Sequence, residues 1–177
     1  MNDIKTLFPY ASDAKLVTED MCDINGHMNV AYYLEAYDTY SRALFEEIGY
    51  SKEYFDEGFS CFAIEDSLRY LKEFLLGEKI YPRFRIHDYN NKLIHIVGVL
   101  LNSNDELSSI SETIVAHVDM KTRRTVDMPE TLINQTQKFS EDHNLSLIHI
   151  SAHTRPRLIS YAVFCLKKKR GGGGGGG

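Results

Sequence analysis

Asp23-Ile24-Asn25-Gly26-His27-Met28-Asn29 leads without a break into Val30-Ala31-Tyr32-Tyr33-Leu34-Glu35-Ala36-Tyr37, and the change of pattern there decides the fold. The first seven residues are loop material: a carboxylate, two amides, an imidazole and a glycine crowd together. From Ala31 to Ile48, Leu34, Tyr37, Ser41, Leu44 and Ile48 recur at steps of three and four, flanked by Tyr33, Tyr40 and Phe45. Glu35, Asp38, Arg42 and Glu46 cover the other side, and Gly49 follows where a helix would end. The spacing predicts one amphipathic helix of about five turns. Its apolar stripe is wide enough to bury against a sheet.

Downstream the period changes to two. In Ser60–Lys72, Phe62, Ile64, Leu68 and Tyr70 share one face, while Ala63, Glu65, Ser67, Arg69 and Leu71 share the other. Ile80, Phe84 and Ile86 alternate with Tyr81, Arg83, Arg85 and His87. Asn90-Asn91 and Asn102-Ser103-Asn104-Asp105 read as turns around Leu93–Leu101, and Ser108–Met120 alternates again. Asp13–Asp20 supplies a short first strand, and Pro129 opens a weakly patterned last helix reaching about His143. Short links between consecutive strands imply an antiparallel sheet. The expectation is an α+β domain, five antiparallel strands around one long central helix. One helix covers one sheet face, so the other face must be solvated or packed on a partner. That argues for a homodimer or a dimer of dimers.

The 177 residues are 43% hydrophobic and 25% charged, which suits one globular domain with a core. No stretch approaches the roughly 18–20 apolar residues that span a bilayer, and the N-terminus lacks a secretory pattern. Cys22, Cys61 and Cys165 have no CxxC spacing, which argues against a disulfide framework or a zinc site. A reducing cytoplasm, no metal and no membrane are therefore expected. From about Leu145 the character changes, ending in Lys167-Lys168-Lys169-Arg170 and the run Gly171 to Gly177. Residues 145–177 resemble translated sequencing-adapter read-through and are set apart as a disordered, non-native tail; the domain is 1–144. All 25 acidic residues but only 14 of the 20 basic ones lie in 1–144, a net charge of −11. Such a balance argues against a nucleic-acid partner.

The Asp23–Asn29 run carries the densest chemistry. Backbone N–H groups at a helix start are unpaired and partly positive, so they polarise a carbonyl or hold an oxyanion. Gly26 permits a sharp turn, and Asp23 beside them can activate water or attack a thioester itself. Capping alone would also explain Asp23 and Asn29. The pattern Asp23-x-x-Gly26-His27-x-Asn29-x-x-Tyr32 resembles hotdog-fold acyl-CoA thioesterases of the 4-hydroxybenzoyl-CoA thioesterase-like group. Bacterial betainyl-CoA thioesterase-like members carry a similar Asn-Gly-His-Met-Asn run. The resemblance covers roughly residues 13–128, and Glu65–Glu73 and His117-Val118-Asp119 add to it.

The resemblance implies a hotdog fold and an acyl-CoA thioesterase, with coenzyme A arriving as part of the substrate and no separate cofactor. It makes Asp23 the catalytic carboxylate, as nucleophile or general base, with Asn25 and His27 positioning substrate or water. The N–H groups near His27 to Asn29 would polarise the thioester carbonyl. Glu65 is the candidate second acid, and Asp66 is left undecided. Gly26, Met28, Asn29, Tyr32, Tyr33 and Arg69 are the candidate substrate-binding residues, Arg69 for the CoA phosphates. Lys72, Arg83 and Arg85 read individually as solvated strand residues. Two other readings remain: a hotdog hydratase or dehydratase, and a module that binds acyl-CoA without turnover.

Overall fold

The computed structural model describes residues 4–148. After one turn of helix, α1 (Ile4–Leu7), the long helix α2 spans Val30–Ile48. Asn29 starts it, its side chain accepting the Ala31 N–H at 3.0 Å. Gly49 ends it by donating to the carbonyls of Phe45 and Glu46. The buried line is Tyr33, Ala36, Tyr37, Leu44 and Ile48. Leu34 is exposed instead, because the core face is centred on Tyr33 and Ala36 rather than on the predicted stripe.

The strands are β1 (Tyr10–Ala11), β2 (Lys15–Leu16), β3 (Phe59–Tyr70), β4 (Lys79–Tyr89), β5 (Leu93–Leu101), β6 (Leu107–Asp119) and β7 (Arg124–Thr125). All pairs are antiparallel, in the order β1-β4-β5-β6-β3, with β2 on β4 and β7 on β6. The five-strand path stands; two short strands are added to it. The strand expected over Asp13–Asp20 is broken up. Ser12 donates its N–H to Pro82 and its hydroxyl to the Tyr40 carbonyl, so β1 ends before it and β2 begins after it. Glu19–Met21 is a 3-10 turn.

The helix and sheet close tightest at Gly98. A Cβ there would lie 2.8 Å from the Tyr37 ring and 2.9 Å from Phe84, so only glycine admits this contact. Tyr37 then reaches across to donate to Ser109 Oγ at 3.0 Å. The face away from α2 is neither bare nor left to a partner over its whole extent. Leu7 and Phe8 pack there with Val97, Val99 and Leu101. Arg83 donates to the carbonyls of Lys5, Phe8 and Pro9, and Arg85 to that of Leu7. These two arginines staple the N-terminal segment down and are not solvated strand residues.

Helix α3 (Lys52–Asp56) follows α2, and α4 (Glu130–Ile148) closes the described chain. The helix continues through residues 145–148 of the segment set apart by sequence; the rest of that segment lies outside the described residues. Beyond β1, the edge of β4 is met by α4, where His143 Nδ1 accepts the Ile86 N–H at 2.9 Å. Edge N–H groups invite pairing with other chains, and α4 blunts this one. Burial, with Arg85 nearby, pushes the His143 imidazole down to about 4 despite Asp142. His87, desolvated beside His95 and Arg85, is also pushed down to about 4. A base whose folded pKa lies below its unfolded value takes up its proton on unfolding. Its stabilising contribution is therefore complete above about pH 6.5 and is lost as pH falls towards 4. His143 alone should remove about 2 kcal/mol by pH 5. Urea midpoints at pH 7.5 and pH 5.0 measure the loss, and His143→Gln should flatten it. An unchanged slope in that variant would sink the assignment.

Candidate active site

The Asp23–Asn29 run folds into a tight hairpin at the head of α2. Asp23 N–H donates to the His27 carbonyl and Gly26 N–H to that of Asp23, both at 3.0 Å. Gly26 takes φ +80°, which a side chain would resist. The Asp23 carboxylate is oriented from within this turn: Oδ1 accepts the Asn25 N–H at 2.8 Å and Oδ2 accepts Asn25 Nδ2 at 3.3 Å. Asp23 and His27 are half-buried, and Asn25 is exposed. So Asp23, Asn25 and His27 lie on one small loop. His27 Nδ1 is 3.3 Å from the Met28 carbonyl oxygen.

A second segment holds the loop from below. Met28 N–H donates to the Phe74 carbonyl at 2.8 Å, and Phe74 N–H donates to the Tyr33 hydroxyl at 3.3 Å. Met28 and Tyr33, offered to substrate by sequence, are core residues, and Tyr33 packs edge-on against Tyr70. The polarising N–H groups also need correcting. Those of Met28 and Asn29 are spent on Phe74 and Met21, and that of Ala31 on the Asn29 side chain. The N–H groups of His27 and Val30 meet no backbone acceptor among the described residues.

A groove of about 860 Å³ runs between α2 and the sheet; none of Asp23–Asn29 lines it, and Ala31 is the lining residue nearest them in the chain. Ala31 and Leu34 line its loop end; Phe45, Tyr50 and Phe55 line the other. Its charged residues are Glu35, Asp38, Glu46 and Asp66 against Arg42 and Lys52. Cys61 also lines it, but burial and Asp38 push its thiol up to about 11, so it is a neutral thiol.

Residues 16–136 match the model of the thioesterase-like superfamily. The chain belongs to that superfamily. An L-carnitine dehydrogenase/betainyl-CoA thioesterase of Agrobacterium fabrum is 32% identical over 111 residues, 63% of this chain and 23% of that protein. This chain thus spans about a quarter of the length of such two-part relatives. A betainyl-CoA thioesterase of Pseudomonas aeruginosa is 26% identical over 129 residues, 72% of this chain and 81% of that protein. Among solved structures, a Staphylococcus aureus protein in complex with CoA superposes with a TM-score of 0.69 at 25% identity, covering 74% of this chain and 84% of that one. The α+β hotdog arrangement is that of the superfamily and is shared with the Staphylococcus aureus protein.

Within this thioesterase-like chain the strand carboxylates change places. Ala63 pairs with Val115 and Glu65 with Ile114, so Ile64 is the extra residue of a β-bulge. Past the bulge the alternation slips by one. Glu65 pairs on the face of Phe62, away from α2, and Asp66 lines the groove. The expected second acid therefore lies on the face away from the groove. A strict period of two has no means of registering the inserted residue. Arg69 shares the outer face, opposite Ile110, where it adds the smallest part to a lowering of the Glu112 carboxyl that the His95 hydrogen bond dominates; Lys72 is paired with Glu106 at 2.7 Å. Tyr32 is half-buried against the core and Asn29 is a helix cap. His117 is a buried structural partner, its Nε2 2.7 Å from the Tyr54 hydroxyl and its Nδ1 3.1 Å from the Val126 carbonyl oxygen. Among the described residues, no group of three His, Cys, Asp or Glu is arranged to hold a metal, and no helix is long and apolar enough to cross a membrane.

Proposed function

We propose that this chain hydrolyses the thioester of a small, positively charged acyl-CoA to the free acid and CoA. The observation that carries the reading is Asp23, fixed by its own turn at the head of α2, from which Ala31 leads into a groove whose charged lining residues are four carboxylates against two cations. The betainyl-CoA thioesterase relatives support the cationic acyl group, and the CoA complex of the Staphylococcus aureus protein supports the thiol half.

Asp23 acts on the carbonyl carbon in one of two ways. As general base it takes a proton from water while the water oxygen adds. As nucleophile it forms a mixed anhydride that water then opens. In both, the C–S bond breaks, the electron pair leaves on CoA sulfur, and a proton from water ends on the thiol. The His27 and Val30 N–H groups, the latter at the positive end of α2, are those left to polarise the carbonyl oxygen. Asn25 holds the Asp23 carboxylate, and His27 beside it orients water or substrate.

The working form is a homodimer, paired along β3. That strand ends the sheet, twelve residues long, with Ile64 and Tyr70 exposed beside Leu71. An open apolar edge of that length calls for a partner.

Thiol release by the full chain from betainyl-, 4-hydroxybenzoyl- and octanoyl-CoA tests the reaction. Fastest release from the betainyl thioester supports the reading; release from none of them overturns it and favours a binding module. Light scattering that reports a monomer at working concentration overturns the dimer.

A further inference from the structure

Most charged side chains that line the groove already have an opposite charge. Arg42 Nη2 lies 2.8 Å from Asp38 Oδ2, Lys52 Nζ lies 2.6 Å from Asp56, and Lys15 Nζ lies 3.4 Å from Glu35. Glu46 stands in the last turn of α2, more than four turns from the Asn29 cap. Asp66 is different. Its hydrogen-bond partner is neutral: Thr113 Oγ1 donates to Oδ1 at 2.7 Å, which fixes the exposed carboxylate, and no ion pair to it occurs among the described residues.

The strand makes this placement deliberately. Without the extra residue at Ile64, Glu65 would stand on the groove side and Asp66 on the outer face. Bulges re-aim side chains in this way beside functional sites. The row next to Asp66–Thr113 is Leu68–Ser111–Gly98, over which the Tyr37 ring lies. Phe84 meets the same glycine and also lines the groove. Aromatic faces attract cations, and a quaternary ammonium needs such faces plus one unneutralised negative charge, since it has no N–H to donate.

We infer that Asp66, aimed into the groove by the bulge at Ile64 and held by Thr113, is the residue that selects a positively charged acyl group. This rests on the thioesterase reading above and adds to it the side chain that sets specificity. Asp66 has no place in the chemical step.

The test compares two thioesters of one shape. Betainyl-CoA carries a trimethylammonium group; 3,3-dimethylbutanoyl-CoA carries a quaternary carbon in its place. For the wild-type full chain, kcat/KM should favour the cation. In Asp66→Asn the ratio of the two kcat/KM values should fall on the order of tenfold, expressed mainly in KM, as expected for one lost opposite charge in a partly exposed site. Asp66→Glu, which keeps the charge, should recover most of the ratio. A ratio that Asp66→Asn leaves unchanged overturns the inference, whether both rates fall together or neither does. Should the wild type hydrolyse neither thioester, the thioesterase reading fails, and calorimetry decides the inference separately. Glycine betaine must then bind more tightly than 3,3-dimethylbutanoate, with that difference lost in Asp66→Asn. Equal binding, or none, overturns it.

Discussion

Asp23→Asn is expected to lower CoA release at least about a hundredfold, the usual cost of removing a general base or nucleophile. The substitution is informative because the loop should survive it. An asparagine Oδ1 still accepts the Asn25 N–H, so the turn that fixes residue 23 keeps its main bond. Asn25 Nδ2, which now contacts Asp23 Oδ2 at 3.3 Å, would meet an amide, and that weaker contact is lost. The chemistry should go while the melting temperature stays within a few degrees. Activity within threefold of wild type would keep the reaction and move its base to His27, on the same loop. A large drop in melting temperature would mean that Asp23 serves the fold first.

Phe74→Ala should produce the largest loss of stability. The ring is fully buried, tilted against Tyr33 with centroids 5.9 Å apart, and belongs to the main core. Truncating such a ring costs about 3–5 kcal/mol through lost burial and a cavity that refills only in part. In a domain of this size that is roughly 10 °C in melting temperature. Activity should fall as well. The backbone of Phe74 bonds Met28 on one side and the Tyr33 hydroxyl on the other, so a loosened residue 74 loosens the Asp23 loop. Urea unfolding measures the first effect and KM the second. A stability loss below about 1 kcal/mol would show that neighbouring side chains collapse into the gap.

The parts of this molecule legible in the sequence are those set by local periodicity. Asn29, the steps of three and four to Ile48, and Gly49 define a helix without help from elsewhere. The Asp23–Gly26 turn is equally local, because Asp23, Asn25 and Gly26 supply its bonds and its positive φ among themselves. What escaped the sequence is set across strands. The bulge at Ile64 exists only relative to β6, and it reverses the faces of Glu65 and Asp66. The Met28 and Asn29 N–H groups look free at a helix start until Phe74 and Met21, distant or overlooked in sequence, take them. Arg83 and Arg85 read as solvated because nothing in their strand announces the Leu7–Pro9 carbonyls that come to meet them. Leu7 and Phe8 likewise cover sheet area that the pattern of strands alone left bare.

The two margins of the sheet are built unalike. On the β4 side, β1 and β2 take part of the backbone and His143 takes the Ile86 N–H. On the β3 side, no described strand follows. In the proposed β3-to-β3 dimer, the β4 margins turned outward are the ones that β1, β2 and His143 partly cover. The acceptor on His143 is in this sense a stop signal against fibre growth. Its loss of Nδ1 in acid would remove a safeguard as well as a measure of stability.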